Sequence, residues 1–163
     1  MTLIPKTCFF TGHRFLPADE AKDIRSRINE ELLNAVNAGF THFISGGALG
    51  FDAMAAEQVI SLREDYTSIR LVLYLPCADH FSNWKEADRI RFDRILSLAD
   101  EIYYVTRESY REGCMKKRNN AMTEASQLCI AYLKSPVSGT AQTVKLAKDK
   151  GLKVINIANC TKS

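Results

Sequence analysis

The stretch Ser45–Glu57, SGGALGFDAMAAE, joins the end of one sequence pattern to the start of another. The aromatic and β-branched run THFIS (41–45) leads into this stretch and shares Ser45 with it. The last residues of the stretch begin an apolar pattern that predicts a helix over 51–63. Three glycines, Gly46, Gly47 and Gly50, lie at the junction. Glycine permits a positive φ and lacks the Cβ that blocks close approach. The stretch therefore predicts a strand, a tight turn and a helix. It also predicts that the backbone of the turn lies close to a ligand.

The same alternation of short and long patterns continues along the whole chain. Predicted strands cover 7–11, 41–45, 69–75, 101–106, 128–133 and 153–158. Predicted helices cover 18–38, 51–63, 83–98, 111–125 and 140–150. Strict alternation predicts a mostly parallel sheet of about six strands, with right-handed crossovers and helices on both faces. We therefore expect a three-layer α/β fold, and the absence of repeats or linkers predicts one domain over 1–163.

The composition favours a globular protein and argues against a membrane-spanning one. The 163 residues are 46% hydrophobic and 25% charged, which is typical of a globular domain. No apolar run reaches the roughly 18–20 residues that span a bilayer, and the N-terminus does not resemble a signal peptide. We therefore expect a cytoplasmic protein without a membrane partner. The formal net charge of +3 is too small to favour a nucleic-acid partner.

The five cysteines do not point to a disulfide framework or a metal site. No two of them form a CxxC pair, and their number is odd. Cys8 and Cys129 lie in apolar runs and are expected to be small buried side chains. The sequence therefore predicts no metal ligands.

Unusual residues cluster where the predicted strands end. The first strand is followed by TGHR (11–14), the second by the glycine turn and Asp52, and the fifth by SPVSGTAQT. Ligands of open parallel sheets bind at the carboxyl ends of the strands. Glycine turns that open helices form anion sites, most often for phosphate. Arg14 could clamp a phosphate or carboxylate, and Asp52 could accept a ribose hydroxyl or cap its helix.

Each of these features also has a simpler interpretation. A glycine turn can serve tight packing, His13 and Arg14 can form a solvated loop, and Asp52 can be a favourable acid in the first turn of a helix. In MKKRNNAM, Arg118 and its neighbour Asn119 either face the ligand or belong to a methionine-lined core face from which Arg118 reaches outward. Trp84 either packs in the core or stacks on a base.

The predicted ligand-binding residues are drawn from five segments. They are Gly12, His13, Arg14, Gly46, Gly47, Gly50, Asp52, Trp84, Arg118, Asn119, Ser138, Gly139 and Thr140. The predicted ligand bears a phosphate, because three turns of this kind fall at one edge of the sheet.

These motifs together resemble those of the SLOG superfamily, Rossmann-like proteins related to the DNA-processing protein DprA and the Lonely Guy enzymes. The similarity covers about 7–157 and is greatest to the YpsA-like branch. It implies a Rossmann-like fold and a pocket for a nucleotide derivative such as NAD or ADP-ribose, with no cofactor required. Homodimers are common in the superfamily. The motif matches are Gly12 and Arg14; Gly46, Gly47, Gly50 and Asp52; Arg118 and Asn119; Gly139 and Thr140.

One motif departs from the Lonely Guy pattern. Those enzymes cleave nucleoside 5′-monophosphates and carry PGGxGTxxE, whereas this chain has PVSGTAQT, with Thr143 in place of the glutamate. A threonine cannot act as the carboxylate of that reaction, although Asp52 or Glu57 could substitute. We therefore expect nucleotide binding or sensing first, a nucleotide N-glycosidase second and a DNA-binding protein third. MKKR is the only compact basic cluster that supports DNA binding.

Overall fold

A computed structural model describes residues 5–159. Six strands alternate with five helices, as the sequence patterns predict. The strands are β1 Thr7–Gly12, β2 His42–Ser45, β3 Arg70–Leu75, β4 Glu101–Tyr104, β5 Leu128–Tyr132 and β6 Lys153–Asn156. The helices are α1 Ala21–Asn37, α2 Phe51–Leu62, α3 Glu86–Leu98, α4 Cys114–Ala125 and α5 Gly139–Asp149. Short 3-10 turns cover Ala18–Glu20 and Ile157–Asn159.

All six strands form one parallel sheet in the order β4-β3-β2-β1-β5-β6. The chain builds outward from β1 to β4 and then returns to place β5 against the free side of β1. In the β1–β5 pair, Phe9 lies opposite Cys129 and Gly12 opposite Tyr132. The direction of winding therefore reverses between β1 and β5, and this is the position where open parallel sheets bind ligands.

Helices cover both faces of the sheet. Phe10 and Phe43 pack with residues of α1, α2 and α3, whereas Phe9 and Ile44 pack with residues of α4 and α5. Neighbouring residues of one strand thus enter opposite cores, because successive side chains of a strand point to opposite faces. This burial on both faces explains why the strands are nearly continuous apolar runs.

Helix α1 illustrates how the sequence pattern produces this packing. Its buried side chains, Ile24, Ile28, Leu32 and Ala35, recur at three- and four-residue spacing and form one stripe against the sheet. The predicted start at 18 belongs to the preceding 3-10 turn, so the α-helix begins three residues later.

Two other helices begin later than predicted, since the segments before them form turns. Helix α3 begins at Glu86 rather than 83, and the residue before it, Lys85, is extended. The amide of Trp84 donates to the carbonyl of Phe81, at 3.1 Å, within that turn. Helix α4 begins at Cys114 rather than 111, because Gly113 has a φ of 85° and separates the helix from the loop.

Cys8 and Cys129 are fully buried, as predicted from their apolar runs. Cys160 lies outside the described residues. Within residues 5–159, no helix is both long enough and apolar enough to cross a bilayer.

Candidate functional site

A cleft of about 290 Å³ opens at the carboxyl end of β1, on the sheet face that α4 and α5 cover. It brings together nine of the thirteen residues that the sequence predicts for ligand binding. These nine are Gly12, His13, Arg14, Asp52, Arg118, Asn119, Ser138, Gly139 and Thr140. They come from four loops and helices that are distant in the sequence, so the cleft is a product of the sheet order.

The N-terminus of α5 forms one wall of the cleft. The Ser138 hydroxyl caps the helix by accepting a hydrogen bond from the Ala141 amide at 3.1 Å. The amides of Gly139 and Thr140 donate to no acceptor among residues 5–159. An ideal Cβ built on Gly139 would meet no atom within 4 Å, so the helix end is open. Free amides at a helix N-terminus carry partial positive charge and suit an anion.

Arg14 also lines the cleft, from the loop after β1. Its side chain is exposed, and its guanidinium forms no hydrogen bond or ion pair within the described range. The carbonyl of the preceding residue, His13, accepts a hydrogen bond at 3.1 Å from the amide of Phe51, the first residue of α2. The loop is thus held against α2, while the Arg14 guanidinium remains available to a ligand.

Asp52 provides the only carboxylate among the residues that line the cleft. The side chain is 5% exposed and accepts a hydrogen bond from the Ala48 amide at 3.4 Å. Burial raises the pKa of Asp52 from 3.8 to about 6, against the opposing attraction of Arg118, Arg14 and the amides of Gly46 and Ala48. A buried acid with a raised pKa in a cleft is typical of functional sites.

Arg118 lines the cleft from a buried position, so it does not reach outward as the alternative interpretation of a methionine-lined core face requires. It is only 7% exposed. Its guanidinium donates to the Gly46 carbonyl, to Oδ1 of Asn119 at 2.7 Å and towards the sulfur of Met115 at 3.7 Å. Burial lowers the pKa of the guanidinium, and the charge of Asp52 counteracts this effect. The reason for the inward position is that the Gly46 carbonyl and Asp52 supply polar partners beneath the cleft.

The glycine turn packs against the protein itself. An ideal Cβ on Gly46 would lie 2.6 Å from a guanidinium nitrogen of Arg118 and 3.0 Å from a carboxylate oxygen of Asp52. A Cβ on Gly47 would collide with Leu75. Gly46 and Gly47 are not among the residues that line the cleft, and both are buried. Tight packing therefore accounts for their conformations without a ligand.

Gly12 and Gly50 are likewise required by internal contacts. A Cβ on Gly12 would collide with the ring of Phe51. Gly50 has a φ of 73°, and a Cβ there would lie 2.6 Å from the His13 carbonyl oxygen and closer still to that of Arg14. Gly12 lines the cleft, whereas Gly50 lies behind the loop that carries Arg14.

His13 connects the loops that follow β1 and β5. Its Nε2 accepts hydrogen bonds from the amides of Lys134 at 2.8 Å and Ser135 at 3.2 Å. The ring is therefore neutral with its proton on Nδ1, because Nε2 serves as an acceptor. Burial and, to a smaller extent, the charge of Lys134 lower the pKa of His13 below 6.5.

We expect His13 to titrate below pH 6.5 as the Nδ1–H tautomer. Its pKa is lowered in the folded protein, so the folded state binds fewer protons than the unfolded one just below pH 6.5. Stability therefore falls as the pH drops through this range. Nitrogen-15 NMR of the imidazole reports both the tautomer and the pKa. A pKa at or above 6.5, or an Nε2–H tautomer, would contradict the observed hydrogen bonds.

Trp84 lies away from the cleft. Its ring makes edge contacts with His80 at 5.4 Å and Phe92 at 5.5 Å between ring centres, and Phe81 lies 6.4 Å away. This cluster packs on the core beneath α1, α2 and α3, which is the opposite face of the sheet from α4 and α5. Trp84 therefore has the position of a packing residue. Of the two alternatives for this side chain, core packing or base stacking, its position matches the first.

The cleft also contains residues that sequence patterns did not single out for ligand binding. Thr11 and Ala48 flank predicted residues, and Met115 shares a helical face with Arg118. Thr143 lines the cleft as well, and its hydroxyl donates to the Gly139 carbonyl at 3.1 Å. The three- and four-residue spacings along α4 and α5 were the signals that could have identified Met115 and Thr143.

Glu57 is not available as a second carboxylate for the cleft. It forms two hydrogen bonds with Arg91, at 2.6 and 2.9 Å, between α2 and α3. Within the described range, no group of three His, Cys, Asp or Glu side chains could hold a metal ion.

A family model described as the YspA SLOG family matches residues 16–154. The chain belongs to the YspA SLOG family. A UPF0398 protein of Bacillus cereus strain B4264 is 30% identical over 130 residues, covering 78% of this chain and 71% of that protein. A UPF0398 protein of Bacillus thuringiensis strain Al Hakam is 28% identical with the same coverage.

Two solved structures of DNA processing protein A share the fold of this YspA family member. The Helicobacter pylori protein, described by its single-stranded DNA binding mode, matches with a TM-score of 0.65 and 19% identity over 93% of this chain. The Streptococcus pneumoniae protein matches with a TM-score of 0.65 and 18% identity over 93% of this chain. This chain spans only 64% and 49% of those two proteins. The Rossmann-like α/β fold is thus confirmed, but these neighbours do not support the expectation that a nucleic-acid partner is unlikely.

Proposed function

We propose that this protein binds or senses a nucleotide or nucleotide-derived ligand, of the kind that NAD and ADP-ribose represent. The observation that carries the proposal is that two anion-binding groups, neither with a hydrogen-bond partner among the described residues, line the same cleft. These groups are the open N-terminus of α5 at Gly139 and Thr140 and the guanidinium of Arg14, which is unpaired within residues 5–159.

A phosphate fits this pair of groups chemically. Backbone amides at a helix N-terminus donate hydrogen bonds to phosphate oxygens, and the helix dipole favours the negative charge. An arginine in the same cleft can add two parallel donors. The Ser138 hydroxyl is already engaged in capping, so the free amides of Gly139 and Thr140 are the donors in this proposal.

The floor of the cleft suits a sugar. Asp52 is ionised above a pH of about 6, and only part of its hydrogen-bonding capacity is taken by the backbone amides of the glycine turn. A ribose hydroxyl could donate to the remaining lone pairs. The volume of about 290 Å³ is at the small end of ligand pockets, which run from about 300 to 1,000 Å³. It suits a ribose phosphate better than a whole dinucleotide.

Replacing Arg14 with alanine is expected to weaken nucleotide binding by about 10- to 100-fold, because a charge-assisted hydrogen bond contributes about 1.5–3 kcal/mol. Isothermal titration calorimetry with AMP, ADP-ribose, NAD and ATP measures the change against the wild type. Arg89→Ala is the matched control, since Arg89 is an exposed arginine on α3 that does not line the cleft. Equal affinities in Arg14→Ala and wild type would refute the proposed phosphate site.

Hydrolysis of a nucleotide N-glycosidic bond is the alternative, and Asp52 is the acid that would have to act. Thr143 supplies no carboxylate, and Glu57 is paired with Arg91. Chromatography of the calorimetry mixtures tests this reading. Release of free base by the wild type but not by Asp52→Asn would favour the enzyme, whereas intact ligand would favour binding or sensing.

DNA binding is the third candidate, favoured by the structural similarity to DNA processing protein A. Because Arg118 is buried, the MKKR segment offers only Lys116 and Lys117 as exposed cations. Binding of a single-stranded oligonucleotide should weaken as salt increases, with a slope set by the number of phosphates contacted. Tight, salt-dependent binding that Lys116→Ala/Lys117→Ala abolishes would favour DNA over a small nucleotide.

A further inference from the structure

A groove of about 500 Å³ runs between α4 and α5 on the outer surface of the protein. Met115 and Leu146, both half-buried, supply apolar surface on its two sides. At its far end, Lys145 forms an ion pair with Asp149 at 2.9 Å. The groove thus has one apolar side chain on each side, among mostly polar lining residues, and an ion pair at one end.

The groove is continuous with the cleft described above. Four residues line both of them: Met115, Asn119, Gly139 and Thr143. Gly139 is also the open first residue of α5. A ligand whose phosphate lies at this helix end can therefore extend into the groove.

Two amide side chains that have no hydrogen-bond partner among residues 5–159 line the groove. Asn120 of α4 and Gln142 of α5 line it, and neither side chain forms a hydrogen bond within the described residues. An amide offers both donors and an acceptor, which is the chemistry that reads the edge of a nucleobase. Methionine and leucine can pack against the apolar faces of such a ring.

We propose that the groove between α4 and α5 binds the nucleobase of the ligand, with Asn120 and Gln142 hydrogen-bonding its edge and Met115 and Leu146 contacting its faces. This inference rests on the proposed nucleotide binding in the adjacent cleft. It assigns the phosphate and sugar to the cleft and the base to the groove, so the two parts of the ligand can be tested separately.

The test compares AMP with ribose 5-phosphate, which lacks the base. Calorimetry measures both ligands on wild type, on Asn120→Ala/Gln142→Ala and on a control that removes an asparagine and a glutamine from α1 and α2, Asn34→Ala/Gln58→Ala. We expect the groove variant to weaken AMP binding by about tenfold, a typical effect of lost amide–base hydrogen bonds. Binding of ribose 5-phosphate should remain unchanged in both variants.

Other outcomes overturn the inference in distinguishable ways. If wild type binds neither ligand, the proposed nucleotide binding itself fails. If both ligands bind but the groove variant weakens neither, or weakens both equally, the base does not occupy the groove. If sedimentation shows a dimer that Leu146→Arg dissociates without changing AMP affinity, a second copy of the chain covers the groove instead.

Discussion

Replacing Gly50 with alanine is expected to lower the free energy of unfolding by about 3 kcal/mol or more. The φ of 73° disfavours any residue with a Cβ by about 1–2 kcal/mol. The new Cβ would also lie 2.6 Å from the carbonyl oxygen of His13, where overpacking costs about 1–3 kcal/mol. Neither obstacle can be relieved by a side-chain rotation, because the colliding atoms belong to the backbone of the Arg14 loop. For a protein of this size, the melting temperature should fall by roughly 6–12 °C.

Gly139→Ala is the matched control for this prediction. A Cβ at Gly139 would meet no atom within 4 Å, and the backbone there does not have a positive φ. The free energy of unfolding should therefore stay within about 0.5 kcal/mol of the wild type or rise slightly. Urea denaturation of both variants makes the comparison. If Gly50→Ala is as stable as Gly139→Ala, the close approach of the glycine turn to the Arg14 loop does not exist.

The stability of the wild type relative to Asp52→Asn is expected to fall by about 3 kcal/mol as the pH rises from below 3.8 to above 6. The pKa of Asp52 rises from 3.8 to about 6 on folding, so the folded state binds more protons than the unfolded state between these values. Its stabilising contribution is fully present below pH 3.8 and is lost as the pH rises through 6. A difference of about two pH units corresponds to about 3 kcal/mol at 1.36 kcal/mol per unit. The asparagine cannot ionise, so the variant lacks this loss.

Urea denaturation of wild type and Asp52→Asn at pH 3 and pH 7 measures the effect. The free energy of unfolding of the wild type minus that of Asp52→Asn should be smaller at pH 7 than at the lower pH. All other titrating groups are shared by the two proteins, so they largely cancel in this difference. A difference that is the same at both pH values would show that Asp52 ionises as freely in the folded protein as in the unfolded chain.

The architecture could be predicted from local patterns because each pattern is repeated and physically simple. The stripe of Ile24, Ile28 and Leu32 identifies α1 by its spacing, and the continuous apolar run of β3 identifies a strand buried on both faces. The starts of α3 and α4 were predicted less well. The turn hydrogen bond from the Trp84 amide to the Phe81 carbonyl is compatible with many sequences. A glycine such as Gly113 can lie inside a helix or, with a positive φ, just before it, so its presence does not fix the helix start.

The gathering of nine predicted residues around one cleft could be expected because parallel strands all end at one edge. The positions of the individual side chains could not be predicted. The spacing of Met115, Arg118 and Met122 showed that they share a face of α4, but it could not show that Arg118 would find the Gly46 carbonyl beneath the cleft. The position of the Trp84 ring could not be predicted either, because its partners His80 and Phe92 meet it only in the folded chain.

The sequence by itself determined the alternation of strands and helices, the parallel sheet and the edge at which glycine, arginine and aspartate collect. These features follow from local periodicity and backbone preferences, which act over a few residues. Only the tertiary structure decided what the glycines do and which charges are buried. A glycine at 46 is needed because Arg118 and Asp52 lie within 3.0 Å of its missing Cβ, and those side chains come from elements that meet only when the sheet has formed.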